Sequence, residues 1–472
     1  PCCLVGSEMC IRDSYKKMPL WMKKICCKVP FSMIAGKEYR EVYHRGDWFD
    51  QASREEILAY QERALGRLLR HATMEVPAYF FLRSVVEKFN PLEALSAFPF
   101  LEKEELQKDP DRYLSRNLDR TPCYETTTGG TSGNQLSFHL DDHSQSMETG
   151  FMHRQWKRVK YKAKDKKVVF RGVSFDNLKP NVFWQENPIY NEIQFSPFHM
   201  SDANLESYLI EFIRYQPKFV HGYPSAVEIF ADYILRNDKT KLIPKVQAVL
   251  LGSEGTTDQQ RRIIERGLGA RVFSWYGLSE RVALGGECEK NSSYHLMPDY
   301  GYVEIIKEDG SLCYEEGDEG EIVGTNLFNF SMPFIRYKTG DWAKRLSAEC
   351  ECGRNWDRIT EVKGRWKKEF VVGSSGAKIS TAALNMHGDL FNSVQRFQYF
   401  QDKPGEMVIK ILPKKEFSNG SQELIESAYK KKVGDELQVK IRIVDDIPLT
   451  KRGKVKTVSY THLTLPTKQA VE

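Results

Sequence analysis

The sequence predicts an α/β protein. A large N-terminal domain of mostly parallel sheets and helices carries a β-rich part, and a small α+β domain follows. Three patterns predict this. Between residues 167 and 275 short apolar runs alternate with helical stretches of about ten residues, the signature of parallel sheet units. From Gly301 the pattern changes to runs at 302–306 and 320–324 separated by Gly and Asp turns, which read as antiparallel strands. Past a break at Gly364-Arg365, β, α and β patterns follow at 407–411, 423–432 and 439–444. The expected domains are 15–363 and 364–457.

The ends are set aside first. Val5-Gly-Ser-Glu-Met-Cys-Ile-Arg-Asp-Ser14 and Val458-Ser-Tyr-Thr-His-Leu-Thr-Leu-Pro-Thr467 resemble translated sequencing adapters, so 1–14 and 458–472 are expected to be foreign to the fold. Residues 19–36 are apolar but interrupted by Lys23, Lys24 and Lys28, which suits a docking segment. No run reaches the roughly 18 apolar residues of a membrane span. Residues 53–73 read as a helix, with Ser53 and Glu56 as a capping box and Ile57, Leu58, Leu65, Leu68, Leu69 and Ala72 at helical spacing. A second helix opens near Lys103 and breaks at Pro110.

Strands are then expected at 167–171, 219–221, 247–251 and 271–275. The helices between them start at Ser201 or Asp202, at Ser225, and at Thr257, where Gln260 completes a cap. Ligand sites of such sheets lie beyond the carboxyl ends of the strands. Two polar clusters fall there, Gly252-Ser253-Glu254 and Tyr276-Gly277-Leu-Ser279-Glu280, and His221 and Tyr223 are placed to line a pocket.

The 472 residues are 41% hydrophobic and 28% charged with a net charge of +5, enough for a sizeable core and without a nucleic-acid signature. Of the ten cysteines, Cys2, Cys3 and Cys10 lie in the segment set aside. The others form no secretory framework, so a reducing cytoplasm is expected.

The stretch Thr126–Asn134 is built of Thr, Gly, Ser and Asn. Glycines leave backbone N–H groups open to an anion, and the hydroxyls add donors. Thr128, Gly129, Gly130, Thr131, Ser132 and Gly133 therefore suit the phosphates of a nucleotide, although a flexible surface loop fits the same composition. It is not a Walker loop, because no Lys-Ser or Lys-Thr pair follows the last glycine.

Five clusters now stand in order: Thr126–Asn134, Tyr276–Glu280, Arg336-Tyr-Lys-Thr-Gly-Asp341, Gly364-Arg365 and Pro448-Leu-Thr-Lys-Arg-Gly-Lys454. Together they resemble the adenylate-forming superfamily of acyl-CoA synthetases and adenylation domains, on the branch of the phenylacetate-CoA ligases and their CapK-like members. The resemblance implies that the loop binds the ATP phosphates, Glu280 holds Mg²⁺, Tyr276 lies by adenine and Asp341 accepts the ribose hydroxyls. It implies that Arg365 reaches the nucleotide, that Lys367 is a hinge, and that the C-terminal domain is a mobile lid carrying Lys454 to the α-phosphate. One departure is visible: the family loop commonly ends Gly-Lys-Pro, whereas this chain has Gly133-Asn134-Gln135.

Cys288, His295, Cys350 and Cys352 match a closed structural zinc site in ligand number and type, and the resemblance implies a similar cluster after the Tyr-Gly-x-Ser-Glu motif. Buried cysteines with a surface histidine fit the spacing too, and Cys313 is a substitute ligand. The implied function is ATP-dependent activation of a small-molecule carboxylic acid, with CoA as the acceptor and a link to polysaccharide biosynthesis. The alternatives are a nucleotidyltransferase like coenzyme F390 synthetase and a non-catalytic nucleotide- or acyl-binding module.

Overall fold

The computed structural model describes residues 18–19, 22–24, 29–118, 122–128, 135–172, 182–364, 370–386, 389–447 and 458–460. The N-terminal part is helical, with α1 at Gly36–Phe49 and α2 at Arg54–Glu75. Ser53 and Glu56 close the expected capping box on α2. Ile57, Leu65, Leu68, Leu69 and Ala72 are fully buried on the helix's inner face, while Leu58 of the predicted stripe is half-buried at its margin. The helix at Lys103–Lys108 ends before Pro110, as expected.

A hairpin follows, β1 (Cys123–Thr127) with β2 (Ser137–Asp141), and then α3 (Ser144–Trp156). The main sheet begins with β3 (Lys167–Phe170), β4 (Trp184–Asn187), β5 (Glu192–Phe195), β6 (Phe219–Gly222), β7 (Ala248–Leu251) and β8 (Val272–Gly277). Between them run α4 (Asp202–Tyr215), α5 (Pro224–Arg236) and α6 (Asp258–Leu268). β3, β5, β6, β7 and β8 pair in parallel, and β4 closes one edge antiparallel. All four residues of β7 are buried. Val249 and Leu251 face the helical layer of α5 and α6, while Ala248 and Leu250 meet Trp156, Tyr161 and Phe273 on the other face. That two-sided burial is what a parallel sheet requires. The capping box at Thr257 and Gln260 forms as read. Ser201 occupies the cap position of α4, but its hydroxyl makes no capping bond.

Parallel pairing stops at β8. The chain turns back through β9 (Leu284–Glu287), β10 (Tyr294–Leu296), β11 (Gly301–Ile306), β12 (Glu319–Asn326), β13 (Tyr337–Leu346) and β14 (Arg358–Lys363), all antiparallel. The result is one 12-stranded sheet in the order β11-β12-β13-β14-β10-β9-β8-β7-β6-β3-β5-β4. Its antiparallel half curls into a half-barrel filled by Tyr276, Ala283, Leu296, Ile305, Cys313, Ile322, Ala343 and Ile359. No helix follows Gly277: the Tyr-Gly-Leu-Ser-Glu segment turns directly into β9.

The C-terminal part contains the hairpin of β15 (Phe370–Val372) and β16 (Lys378–Ser380) and a four-stranded sheet. That sheet is built from β17 (Val394–Gln401), β18 (Glu406–Pro413), β19 (Gln438–Ile443) and β20 (Val458–Tyr460), in the order β19-β18-β17-β20. Helix α7 (Asn419–Val433) buries Ile425, Tyr429 and Val433 against it. The first residues of the segment expected to be foreign, 458–460, thus form the edge strand β20, whose Val458 is fully buried. The apolar core of this part is continuous with that around α4, α5 and β3–β7. Among the described residues no helix is long and apolar enough to cross a membrane.

Candidate active site

β13 organises the site. Its buried residues alternate, so Tyr337, Thr339, Asp341 and Ala343 share the inner face of the half-barrel. The Tyr337 hydroxyl donates to Glu280 Oε1 at 3.0 Å. Across the curled sheet, the Tyr276 hydroxyl donates to Asp341 Oδ2 at 3.1 Å, and the Asp341 N–H donates to Thr339 Oγ1 at 3.1 Å. Asp341 is 3% exposed and Glu280 6%. One strand face therefore holds both ends of the Tyr276–Glu280 segment. Burial, and then the Asp341 charge, keep the Tyr276 phenol well above its ordinary pKa, so it stays a donor. Arg281 follows in a left-handed conformation (φ 56°) and donates to Gln145 Oε1 at 3.1 Å. Gly277 and the exposed Ser279 lie on the rim.

A second group stands at the carboxyl ends of β3, β6 and β7. His221 Nδ1 lies 3.1 Å from the Leu250 carbonyl and donates to it, which leaves Nε2 as the acceptor for Arg171 Nη1 at 3.3 Å. Burial, and then the Arg171 charge, hold His221 well below its ordinary pKa, hence neutral. Arg171 Nη2 donates to Ser253 Oγ at 2.6 Å, and its guanidinium lies over the Tyr223 ring at 5.0 Å. Ser253 adopts a left-handed φ of 66°, and Gly252 has to be glycine because a Cβ would sit 2.2 Å from the Trp275 ring. Glu254 accepts from the Ser225 N–H at 3.1 Å and its hydroxyl at 3.0 Å. Burial raises the Glu254 pKa, against the lowering effect of Ser225, Ser380 and Arg171.

Ser380 belongs to the C-terminal part, which closes over this edge. Gln135 Nε2 donates to the Met386 carbonyl at 3.0 Å and Ser137 Oγ to Asn392 Oδ1 at 3.1 Å. A Cβ on Gly172 would lie 2.6 Å from the Ala383 carbonyl. In sequence the glycine-rich stretch falls between β1 and β2, where the Thr128 N–H donates to the Leu136 carbonyl at 2.9 Å and Thr128 Oγ1 accepts from the Leu136 N–H at 3.0 Å. Gly129, Gly130, Thr131, Ser132, Gly133, Arg365, Lys367 and Lys454 lie outside the described residues.

The ligand atoms of Cys288, His295, Cys350 and Cys352 all lie within 4.8 Å of one another. Cys288 Sγ and Cys350 Sγ are 3.7 Å apart, and Cys352 Sγ lies 3.4 Å from His295 Nε2. Zn–S bonds of about 2.3 Å at tetrahedral angles put sulfurs about 3.8 Å apart, so the set fits zinc. The Lys290 N–H donates to Cys288 Sγ at 3.3 Å. Burial pushes the Cys288 thiol up to about 11. Burial raises Cys350 too, but N–H donation from Cys352 and bonds from Arg358 and neighbouring thiols outweigh it and bring that thiol to about 7. Cys313 is packed inside the half-barrel, away from the cluster. Arg354 ties the cluster to α1, with bonds to Asp50 at 2.7 Å and Glu289 at 2.7 and 2.8 Å.

Sequence reasoning missed Tyr337, Thr339, Arg171 and Arg281. The period-2 spacing of Tyr337, Thr339 and Asp341 carried a signal for the first two. Arg171 had only its place at a strand end.

Residues 371–460 match the model of the CapK C-terminal domain. Over 376 residues the chain is 22% identical to Protein CapK of Staphylococcus aureus, covering 76% of this chain and 79% of that one. It is 28% identical to the phenylacetate-coenzyme A ligase of Thermus thermophilus over 161 residues, 34% of this chain and 36% of the ligase. A phenylacetate-coenzyme A ligase of Pseudomonas putida is 32% identical over 167 residues, 37% of its length. The matches thus span little more than a third of these ligases. Among solved structures, 2-hydroxyisobutyryl-CoA ligase in the postadenylation state superposes with a TM-score of 0.51 at 16% identity, covering 85% of this chain and 89% of that one. The chain carries a match to the CapK C-terminal domain at 371–460, is similar over most of its length to Protein CapK and over about a third to phenylacetate-coenzyme A ligases, and has the fold of 2-hydroxyisobutyryl-CoA ligase.

Proposed function

We propose that the chain is an adenylate-forming ligase that activates a small carboxylic acid with ATP and passes the acyl group to a thiol, CoA by default. The observation that carries this reading is the buried Tyr276–Asp341 hydrogen bond, with Glu280 held beside it by Tyr337. Two acidic groups and an aromatic ring gathered beside the carboxyl end of β8 support the reading, because open α/β sheets bind nucleotides beyond the carboxyl ends of their strands.

In the proposed first half-reaction a carboxylate oxygen attacks the α-phosphorus of ATP and pyrophosphate leaves, giving acyl-AMP. The chain's share is positioning and charge compensation. Asp341, fixed by Tyr276, accepts the two ribose hydroxyls. Tyr276 lies against adenine. Thr128, Gly129, Gly130, Thr131, Ser132 and Gly133 offer N–H and hydroxyl donors to the β- and γ-phosphates. Glu280 has one oxygen on Tyr337 and keeps acceptor capacity for Mg²⁺, which would screen phosphate charge. Arg365 reaches the nucleotide, and Lys454 neutralises charge building at the α-phosphate. In the second half-reaction the thiol attacks the acyl carbon and AMP leaves, its phosphate retaining the carboxylate oxygen. Lys367 is the proposed hinge between the two domain positions. Breaking the docked arrangement would cost the Gln135–Met386 and Ser137–Asn392 bonds.

Cys288, His295, Cys350 and Cys352 are proposed to hold a structural zinc that fastens β9 and β10 to the β13–β14 turn. All four ligand positions are taken, which leaves no open catalytic position. From the family resemblance carried by the ordered motifs, we propose that the product feeds polysaccharide biosynthesis in the cytoplasm. ATP–pyrophosphate exchange across a panel of carboxylic acids tests the reading. Acid-dependent exchange supports it, and exchange that ignores the acid, or AMP retained on the product, contradicts it.

A further inference from the structure

The group at the ends of β3, β6 and β7 holds one arginine without a direct ion pair among the described residues. Arg171 is half-buried, and the acceptors it bonds are neutral: His221 Nε2 and Ser253 Oγ. Among the described residues no carboxylate lies within ion-pairing distance of its guanidinium, although nearly every other buried arginine has one. Arg154 meets Asp299, Arg354 meets Asp50 and Glu289, and Arg336 meets Glu304. The nearby Glu254 is already bonded to Ser225 and Ser380.

The guanidinium is nevertheless held firmly. Tyr223 lies under it, His221 is oriented by the Leu250 carbonyl and by stacking on Trp275 (5.4 Å, 19° between planes), and Ser253 reaches it from a left-handed backbone position. Two of its five N–H donors are used on these partners. A rigid, partly desolvated guanidinium with neutral supports and donors to spare is suited to bidentate recognition of a carboxylate. Through Ser253 it stands at the carboxyl end of β7, the strand that pairs with β8 and so adjoins Tyr276. That is the place of an acid lying beside the nucleotide, with the end it does not activate turned toward β3.

Resting on the adenylation reading, we propose that Arg171 is a specificity-determining residue that binds a second carboxylate on the acid, so that the substrate class is a short dicarboxylic acid rather than an aryl or alkyl monocarboxylic acid. His221 and Ser253 hold Arg171 in place, and Tyr223 limits the length of the chain between the two carboxylates.

The test compares matched acids, succinate with butanoate and glutarate with pentanoate, on the full chain, with Arg171→Leu and Arg171→Lys beside it. Pyrophosphate exchange should favour the dicarboxylate. Arg171→Leu should raise the KM for the dicarboxylate roughly 10- to 100-fold, the loss of one charge-assisted contact, and leave the monocarboxylate within about two-fold. Arg171→Lys should fall between, because it keeps the charge and loses the fork. Calorimetric binding of the same acids in the presence of a non-hydrolysable ATP analogue gives a second readout. Dicarboxylate binding that Arg171→Leu abolishes upholds the proposal even without exchange, in which case only the adenylation reading fails. Preference for the monocarboxylate, no dicarboxylate binding, or an Arg171→Leu effect equal on both acids or confined to ATP overturns it.

Discussion

Replacing Asp341 separates a nucleotide-binding role from a purely structural one. Its carboxylate is 3% exposed, accepts from Tyr276 at 3.1 Å, and sits on the inner face of β13. A charge-assisted hydrogen bond contributes roughly 1.5–3 kcal/mol, so two bonds to ribose hydroxyls correspond to roughly 3–6 kcal/mol, or a 10²- to 10⁴-fold weaker Kd for ATP in Asp341→Ala. The same variant strips Tyr276 of an acceptor, which costs folding roughly 1–3 kcal/mol. Asp341→Asn keeps an oxygen for Tyr276 and loses the charge. It should fold nearly as well as the parent while losing a large part of the ATP affinity. Calorimetry with ATP and thermal melts of both variants read the two effects apart. If Asp341→Asn binds ATP as the parent does, or if both variants lose stability and neither loses affinity, the assignment is wrong.

Fresh, chelator-free protein should contain about one equivalent of zinc, and Cys350→Ser should lower the melting temperature more than it lowers ATP affinity; protein without zinc contradicts the site. His153 Nδ1 is hydrogen-bonded to the Tyr39 hydroxyl at 3.0 Å, and burial, then Lys167, lower its pKa from 6.5 to about 3. Folding holds it neutral, so its contribution is complete above pH 6.5 and is lost as pH falls toward 3. The parent should lose melting temperature more steeply than His153→Gln between pH 7 and 4, and parallel curves would refute this. Lys454→Ala should slow adenylate formation on the order of 10²- to 10³-fold, spare transfer from a supplied acyl-adenylate, and differ from a nearly silent Lys451→Ala. Equal loss of both half-reactions would count against a moving lid.

Four of the five parallel strands, β3, β6, β7 and β8, were legible as short apolar runs, whereas β5, which alternates polar and apolar residues, and the antiparallel β4 were not read. Thr257 with Gln260, and the run of β7, read directly as structure. The antiparallel half was only partly legible. β9, β10 and β14 are short and mix charged, Gly and aromatic residues; β9 and β10 are covered on both faces and only β14 turns residues to solvent, so no shared alternation marks them. Asp341 reads locally as a turn residue after Gly340, whose φ is 71°, yet the irregularity lies within β13, opposite register shifts in the ladders on both sides. The order of clusters located Tyr276, Glu280 and Asp341, but what joins them is long-range. The Tyr337–Glu280 contact spans 57 positions in sequence and Tyr276–Asp341 spans 65. The Cys/His cluster was visible as ligand types, while its compactness depends on β10 pairing with β14. Arg171 was invisible, since a lone arginine after a strand is usually a solvated charge.

Oxygen transfer from the acid to AMP tests the central claim most directly. The acid that supports exchange is labelled with ¹⁸O in its carboxylate, turned over with ATP and CoA, and the AMP is weighed by mass spectrometry. Attack of the carboxylate on the α-phosphorus, followed by cleavage of the acyl C–O bond, predicts one ¹⁸O in the phosphate of the released AMP. Unlabelled AMP, or AMP found bound to the organic product, would contradict an acyl-adenylate intermediate.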